Sequence, residues 1–126
     1  MSNPPTILIV DDDPLILKVI SRILARVMSP SSQILTADNG EEGLRTALQA
    51  RPDLIIADLI MPGMDGYDML QLLRQNEDGR QVPVIGISST KSSTNARSQA
   101  FSTLCDGFVL KPFRPNELLE KLPGRM

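Results

Sequence analysis

The stretch ILIVDDDPLI, residues 7–16, runs from four apolar residues straight into three consecutive carboxylates and then becomes apolar again. The apolar run is typical of a strand in a parallel sheet, because helices cover both faces of such a sheet. Asp13 suits the cap of a following helix, and Pro14 suits its first turn. The stretch therefore predicts a buried strand that passes into a helix, with Asp11 and Asp12 left at the carboxyl end of the strand.

Four more short apolar runs follow along the chain, and amphipathic segments separate them. The runs are rich in Ile and Val, as expected of strands covered on both faces. Alternating strands and helices favour a parallel sheet wrapped by helices and joined by right-handed crossovers. The predicted strands are TILIV (6–10), ILTA (34–37), DLIIA (53–57), VPVIGI (82–87) and GFVL (107–110).

The amphipathic segments predict five helices. The first has its apolar residues on one stripe, with Lys18, Arg22 and Arg26 outside it. The second follows DNGEEG, the third follows GMDG, and the last, 117–122, ends before Pro123-Gly124. The predicted stripe of the first helix consists of Leu15, Ile16, Val19, Ile20, Ile23, Leu24 and Val27, and that of the fourth consists of Ala96, Ala100, Phe101 and Leu104.

The length and net charge of the chain limit the classes of protein it can represent. With 126 residues it has the size of one domain, and we expect residues 1–126 to form a single domain without an effector domain. The net charge of −2 gives no general attraction to nucleic acid or to an acidic membrane. No apolar run approaches the ~20 residues that span a bilayer, and the opening MSNPPT lacks the pattern of a signal peptide.

Two residue counts restrict the chemistry. Cys105 is the only cysteine, which excludes an internal disulfide and favours a reducing, cytoplasmic location. The chain contains no histidine, so neither a histidine base nor a histidine metal ligand can come from this sequence. If the protein takes part in histidine chemistry, a partner must supply the histidine.

Polar residues stand at the ends of four of the predicted strands. Asp11 and Asp12 follow the first strand, Asp58 the third, Ser88 the fourth and Lys111 the fifth. Ligands of an open parallel sheet bind beyond the carboxyl ends of its strands. We therefore expect these five side chains, although distant in sequence, to meet at one edge of the sheet.

Three carboxylates in one pocket need a counter-charge, because an unpaired buried charge is costly. Lys111 supplies one positive charge. Carboxylates, together with backbone carbonyls and waters, are also the ligands that suit Mg²⁺. A carboxylate at a metal, beside an ammonium and a hydroxyl, suits phosphoryl transfer, and an aspartate can itself be the nucleophile that becomes an aspartyl phosphate.

Three motifs, ILIVDDDP, PDLIIADLIMPGMDG and DGFVLKPF, occur in this order and resemble the receiver domain of two-component response regulators of the chemotaxis-regulator type. The resemblance covers about residues 6–122. It implies a doubly wound α/β fold, a flavodoxin-like (βα)5 sandwich of three layers with a five-stranded parallel sheet in the order 2-1-3-4-5. The implied function is a phosphoacceptor signalling switch of a two-component system or phosphorelay.

The resemblance implies a role for each residue of the predicted site. Asp58 is implied to be the phosphoacceptor. Asp12 and Asp58 are implied to ligate Mg²⁺ with the backbone carbonyl of Ile60, while Asp11 acts largely through a bound water. Lys111 is implied to contact the phosphoryl oxygens.

The resemblance also implies a switch. Ser88 stands at the position of a hydroxyl that moves to bind the phosphoryl group, and Phe108 stands at the position of the aromatic residue coupled to it. The Lys111–Pro112 peptide is implied to be cis. For Phe108 the ordinary role of a core residue is equally compatible with the sequence, because Phe lacks the hydroxyl that favours exposure.

The implied partners follow from the same resemblance. The phosphoryl donor is a histidine kinase or a histidine phosphotransfer protein in trans, or a small phosphodonor. The output is altered binding of a downstream protein at the face formed by the fourth helix, the fifth strand and the fifth helix. A homodimer that forms on phosphorylation is compatible with this, whereas direct contact with nucleic acid or a membrane is not expected.

Two features depart from the family pattern or stand apart from the rest of the chain. Ile60 and Thr90 flank the path of the water that hydrolyses the acyl phosphate in the family, and an apolar Ile60 cannot orient that water. We therefore expect a phosphorylated state that does not decay rapidly.

The segment SSTKSSTNARSQAFST, residues 88–103, holds nine Ser or Thr residues and is predicted to be the least rigid part of the fold.

Three alternative functions are compatible with parts of the sequence. A Mg²⁺-dependent phosphatase with Asp11 as nucleophile and Asp13 as acid would leave Asp58 without a role, and Asp13 is more simply a helix cap, as is Asp65 for the third helix. A receiver used only as a non-phosphorylated scaffold does not need the full set of chemical residues. A flavin carrier on the same fold lacks stacking residues, since the chain has one tyrosine and no tryptophan.

Overall fold

The computed structural model describes residues 4–89 and 95–124. Within these ranges a parallel five-stranded sheet has the order β2-β1-β3-β4-β5, as predicted. The strands are β1 (Thr6–Val10), β2 (Gln33–Ala37), β3 (Leu54–Asp58), β4 (Val84–Ser89) and β5 (Gly107–Lys111). The helices are α1 (Pro14–Val27), α2 (Gly40–Ala50), α3 (Gly66–Gln75), α4 (Ala96–Leu104) and α5 (Pro115–Leu119), with a 3-10 turn at Glu77–Gly79.

The sheet separates two apolar layers, which explains the continuous apolarity of the central strands. Side chains of a strand alternate between the two faces of a sheet. Ile7 and Ile9 of β1 therefore pack in the layer beneath α1 and α5, while Leu8 and Val10 pack in the layer beneath α2, α3 and α4. All four are at most 1 % exposed, so β1 lies at the centre of the core.

The apolar stripe predicted for α1 is broader than the buried face of that helix. Ile20 and Leu24 are fully buried, whereas Leu15 is 64 % exposed and Val19 is 39 % exposed. Val19 lies about 100° around the helix axis from Ile20, because 3.6 residues make one turn, and so falls at the margin of the contact with the sheet. Leu15, Val19 and Val27 of the predicted stripe therefore lie outside the core; beyond Val27, Met28 is buried at that end of the layer.

Several predicted boundaries shift by a few residues. The strands β3, β4 and β5 include Asp58, Ser88 and Lys111, because pairing through the backbone continues whatever the polarity of the side chains. The last helix begins at Pro115, earlier than predicted, and ends at Leu119. Its first turn is closed by the N–H of Arg114, which donates to a carboxylate oxygen of Glu117 at 2.9 Å.

The helix caps lie where the sequence placed them. The carboxylate of Asp13 accepts the N–H of Leu15 at 2.9 Å at the start of α1. The carboxylate of Asp65 accepts the N–H of Asp68 at 2.9 Å at the start of α3. These contacts satisfy backbone donors that a helix leaves without partners in its first turn.

The segment predicted to be least rigid, 88–103, is described only in part. Residues 90–94 lie outside the described residues, and so does the position of Thr90 near the expected water path. The remainder contributes the end of β4 and most of α4. Among the helices of the described residues, none combines the length and apolarity needed to cross a bilayer.

Gly66 lets α3 begin directly against the end of β3. Its N–H donates to the carbonyl oxygen of Leu59 at 2.8 Å. A Cβ atom at Gly66 would overlap the carbonyl oxygen of Asp58 and lie 2.9 Å from Cα of Leu59. The first turn of α3 therefore packs directly against the backbone of Asp58 and Leu59.

The substitution Gly66→Ala is expected to lower the free energy of unfolding by about 1–3 kcal/mol, the usual cost of forcing extra atoms into a packed region. Urea denaturation measures this difference. Gly124→Ala is the matched control, since no atom lies within 4 Å of a Cβ at that position. Equal stability of the two variants would contradict the close packing of α3 against β3.

Candidate functional site

The predicted site residues come together at one edge of the sheet. Ligand oxygens of Asp11, Asp12 and Asp58 all lie within 4.8 Å of one another. The ammonium Nζ of Lys111 lies 3.0 Å from Oδ2 of Asp11 and 2.8 Å from Oδ2 of Asp58. A cavity of about 390 Å³ opens here, lined by Asp11, Asp12, Asp13, Asp58, Ile60, Ser89 and Lys111.

Local backbone contacts fix the first of these carboxylates. The N–H of Asp11 donates to the carbonyl oxygen of Ala37 at the end of β2, at 3.1 Å. Oδ1 of Asp11 accepts the N–H of Asp13 at 2.9 Å, while Asp13 itself caps α1. The turn from β1 into α1 therefore holds the Asp11 carboxylate in place and leaves its Oδ2 atom facing Lys111.

The carboxylate of Asp58 is held in a similar way. Its Oδ1 atom accepts the N–H of Ile60 at 3.2 Å, and its Oδ2 atom accepts a hydrogen bond from Lys111. Asp58 lies at the end of β3, paired in register with Ile87 of β4. The sheet thus determines where this carboxylate stands.

Burial and charge together shift the ionisation of the site. Burial, reinforced by the negative charge of Asp58, raises the pKa of Asp11 to about 6, although hydrogen bonds from the N–H of Asp13 and from Lys111 act in the opposite sense. Burial alone would lower the pKa of Lys111, but its contacts with Asp58 and Asp11 outweigh burial and raise it. The ammonium is therefore stably charged between the two carboxylates.

The donor set suits a hard divalent cation. Asp11 is 1 % exposed and Asp58 is 5 % exposed, whereas Asp12 is exposed at the rim. Three carboxylates face one ammonium, so the cluster retains an excess of negative charge when all three are ionised. Because closely spaced carboxylate oxygens are the ligands that Mg²⁺ prefers, Asp11, Asp12 and Asp58 fit a magnesium ion at this position.

The two hydroxyls at the end of β4 differ in position. Ser88 is fully buried, and the cavity is lined by its neighbour Ser89. Ser88, and not Ser89, was singled out from the sequence. Ser88 follows Ile87, the register partner of Asp58, so both hydroxyls stand at the end of the strand that is paired with the strand of the predicted phosphoacceptor.

Phe108 and Ile60 differ in their exposure to solvent. Phe108 is partly buried, and its ring packs edge-on against Phe101 with centroids 6.2 Å apart. Ile60 is 55 % exposed and lines the cavity, so an apolar side chain stands at its opening. The Lys111–Pro112 peptide is cis, as the resemblance implied.

Comparison with known proteins agrees with this geometry. The family model of the response regulator receiver domain matches residues 7–123. The nitrate/nitrite response regulator NarL of Escherichia coli is 34 % identical over 97 % of this chain and 56 % of its own length. Response regulator Rre1 of Synechocystis is 34 % identical over 94 % of this chain and 50 % of its own length. The chain thus spans about half the length of these curated relatives.

Solved structures give the same assignment over nearly the whole chain. The chemotaxis protein CheY4 of Vibrio cholerae aligns with a TM-score of 0.79 and 28 % identity, covering 94 % of this chain and 95 % of its own. The receiver domain of a Pseudomonas aeruginosa sensor histidine kinase, solved with a magnesium ion in its active site cleft, aligns with a TM-score of 0.80 and 27 % identity, covering 94 % and 93 %. This chain belongs to the response regulator receiver domain family of two-component signalling.

Proposed function

We propose that this chain is a phosphorylation-controlled switch in which Asp58 accepts a phosphoryl group from a phosphohistidine of a partner protein. The chain has no histidine of its own, so the phosphohistidine lies outside residues 1–126, and the proposed donor is a histidine kinase or a histidine phosphotransfer protein. The observation that carries the proposal is the ammonium of Lys111, held 3.0 Å from Asp11 and 2.8 Å from Asp58 beside a third carboxylate. A small phosphodonor serves the same chemistry.

The transfer is an exchange of one bond to phosphorus for another. A carboxylate oxygen of Asp58 forms a bond to phosphorus while the bond from phosphorus to the partner's imidazole nitrogen breaks. The imidazole leaves with the electron pair, and the product is an aspartyl phosphate. The role of Lys111 is to neutralise charge on the phosphoryl oxygens, for which its present position beside Asp58 is suitable.

The second part of the proposal is that the acidic residues of the site bind Mg²⁺. Asp12 and Asp58, with the backbone carbonyl of Ile60, are the proposed ligands of Mg²⁺, and Asp11 acts largely through a bound water. A bound Mg²⁺ supplies charge neutralisation and orientation for the phosphoryl oxygens. The chain's own part is to hold these oxygens together in spite of their repulsion and to keep the Asp58 carboxylate within reach of a donor.

The proposed output is a change in protein binding. Contacts from the phosphoryl group to Ser88 and Lys111 bias two arrangements of α4, and the packing of Phe108 changes with them. The surface affected is formed by α4, β5 and α5, where a downstream protein binds or where a homodimer forms on phosphorylation. Residues 1–126 act as a single receiver domain in the cytoplasm, without direct contact with nucleic acid or membrane.

The rival phosphatase finds little support in the geometry. Asp13, its proposed acid, is engaged as the cap of α1. Asp58, which has no role in that mechanism, is buried against Lys111. The scaffold alternative is disfavoured because the three carboxylates and the lysine of the predicted site, Asp11, Asp12, Asp58 and Lys111, line one cavity.

Phosphorylation is expected to depend on Asp58. After incubation with Mg²⁺ and acetyl phosphate, intact mass spectrometry should show one added phosphoryl group on the unaltered protein and none on Asp58→Asn. Asp13→Asn is the matched control, because Asn also caps helices well and Asp13 has no proposed part in the transfer. Labelling of Asp58→Asn to the extent of the unaltered protein would support the phosphatase alternative instead.

Mg²⁺ affinity is expected to rise when Lys111 is neutralised. Lys111→Gln removes a positive charge that contacts two proposed ligand residues, and the reduced repulsion of the cation should tighten Mg²⁺ binding about tenfold. Isothermal titration calorimetry measures the change, and Lys18→Gln on the exposed side of α1 removes the same charge elsewhere. Unchanged or weaker binding by Lys111→Gln would mean that the cation does not bind at this cluster.

The lifetime of the phosphorylated form is expected to depend on Ile60. A polar side chain at this exposed position can orient the attacking water, so Ile60→Asn should shorten the lifetime of the aspartyl phosphate. Decay is followed by intact mass after removal of the donor, with Leu72→Asn on the exposed side of α3 as control. Identical lifetimes of the Ile60→Asn variant and the unaltered protein would remove Ile60 from the explanation.

A further inference from the structure

Arg97 joins the first turn of α4 to the first turn of α3. Its Nε atom donates to Oδ2 of Asp65 at 2.7 Å, and its Nη2 atom donates to Oδ1 of the same carboxylate at 3.0 Å. Nη2 also donates to Oδ1 of Asp68 at 2.8 Å. The fork of the guanidinium thus engages two carboxylates with three charge-assisted hydrogen bonds.

An aromatic ring completes this arrangement, which we call the Arg97 clamp and define as Arg97 with Asp65, Tyr67 and Asp68. The guanidinium carbon of Arg97 lies 4.8 Å from the centre of the Tyr67 ring, within the range of a cation–π contact. Burial would raise the pKa of Asp65, but hydrogen bonds from Arg97 and from the N–H of Asp68 outweigh it and lower the pKa. The pair therefore stays ionised at neutral pH.

The α3 side of the clamp is rigidly connected to Asp58. Gly66, the residue after the Asp65 cap, packs against the backbone of Asp58 and donates its N–H to Leu59. The start of α3 cannot move away from the end of β3 without losing that hydrogen bond and the packing of Gly66 around it. Arg97 therefore holds α4 to the turn that abuts the proposed phosphoacceptor.

Within the described residues, α4 is attached to the core by two buried side chains and begins at a side-chain cap. The buried side chains of α4 are Ser98 and Phe101, and Phe101 packs beneath β4 against Phe108. Asn95 caps the helix by accepting the N–H of Ser98 at 2.7 Å. Arg97 therefore adds a direct side-chain link between the first turn of α4 and the start of α3.

We propose that Arg97 is a positioning residue for phosphorylation, which holds the first turn of α4 in the arrangement of the unphosphorylated protein. The proposal rests on the proposed function, since it concerns the same switch. In the observed arrangement Lys111 binds both Asp11 and Asp58. The three hydrogen bonds of 2.7–3.0 Å favour the present position of α4, because displacing the helix lengthens them or forces Arg97 into another rotamer. Breaking the clamp thus favours the phosphorylated arrangement.

The test measures binding of beryllofluoride, a phosphoryl analogue, in the presence of Mg²⁺. Arg97→Gln is expected to bind it about two- to fivefold more tightly than the unaltered protein, the range set by the usual strength of an exposed ion pair. Arg97→Lys, which keeps the charge without the fork, should lie between the two. Arg51→Gln is the matched control, because it breaks the exposed ion pair of Arg51 with Asp78 and removes the same charge.

A second readout distinguishes positioning from mere stabilisation. In Arg97→Gln without beryllofluoride, the amide resonance of Phe108 should move toward its position in the beryllofluoride complex of the unaltered protein. If the contact were merely structural, its loss would lower the free energy of unfolding but leave the affinity for beryllofluoride and the resonance of Phe108 unchanged. Should Arg97→Gln fail to fold, Asp68→Asn breaks one arm of the clamp and keeps the cap of α3, and it carries the same expectations.

The outcomes separate the two proposals. If the unaltered protein binds no beryllofluoride with Mg²⁺, the proposed function is overturned. If the unaltered protein binds it, and the clamp variant binds it equally or more weakly, the role of Arg97 is overturned while the proposed function stands. Tighter binding by the clamp variant, with no change in Arg51→Gln, supports the role of Arg97.

Discussion

The site depends on the cluster of three carboxylates, Asp11, Asp12 and Asp58, two of which bind the ammonium of Lys111. Asp11 and Asp58 are almost completely buried, yet each accepts a hydrogen bond from the same lysine. Burial and then the charge of Asp58 raise the pKa of Asp11 to about 6, which reflects how unfavourable a second buried negative charge is here. One ammonium cannot balance three carboxylates, and the residual charge attracts a cation.

The parallel sheet builds this cluster from distant parts of the chain. Asp11 is 100 positions from Lys111 in sequence, and Asp58 is 53 positions from it. Strands that run in the same direction bring their carboxyl ends to one edge, and apolar layers on both faces keep the strands in place. Backbone N–H groups and Lys111 hold the carboxylates of Asp11 and Asp58, and such preorganisation lowers the cost of binding a ligand.

The sequence predicts the strands and the converging site well, because apolar runs that end in polar residues carry both signals locally. It predicts partial burial poorly: Leu15 and Val19 fit a helical stripe by spacing, but the width of the contact with the sheet decides which positions are covered. The contact of Arg97 with Asp65, 32 positions apart, has no signal in either local pattern. It arises from the packing of α3 beside α4, which depends on the tertiary structure.

The direct test of the account is a titration of the unaltered protein with Mg²⁺, followed by its amide spectra and by calorimetry. We expect one saturable site per chain, with the largest shifts at the amides of residues 11–13 and 58–60. Asp58→Asn should bind the ion more weakly, since it loses one ligand charge. An absence of saturable binding, or shifts confined to residues away from the carboxyl ends of β1 and β3, would contradict the proposal that these carboxylates are assembled around a cation.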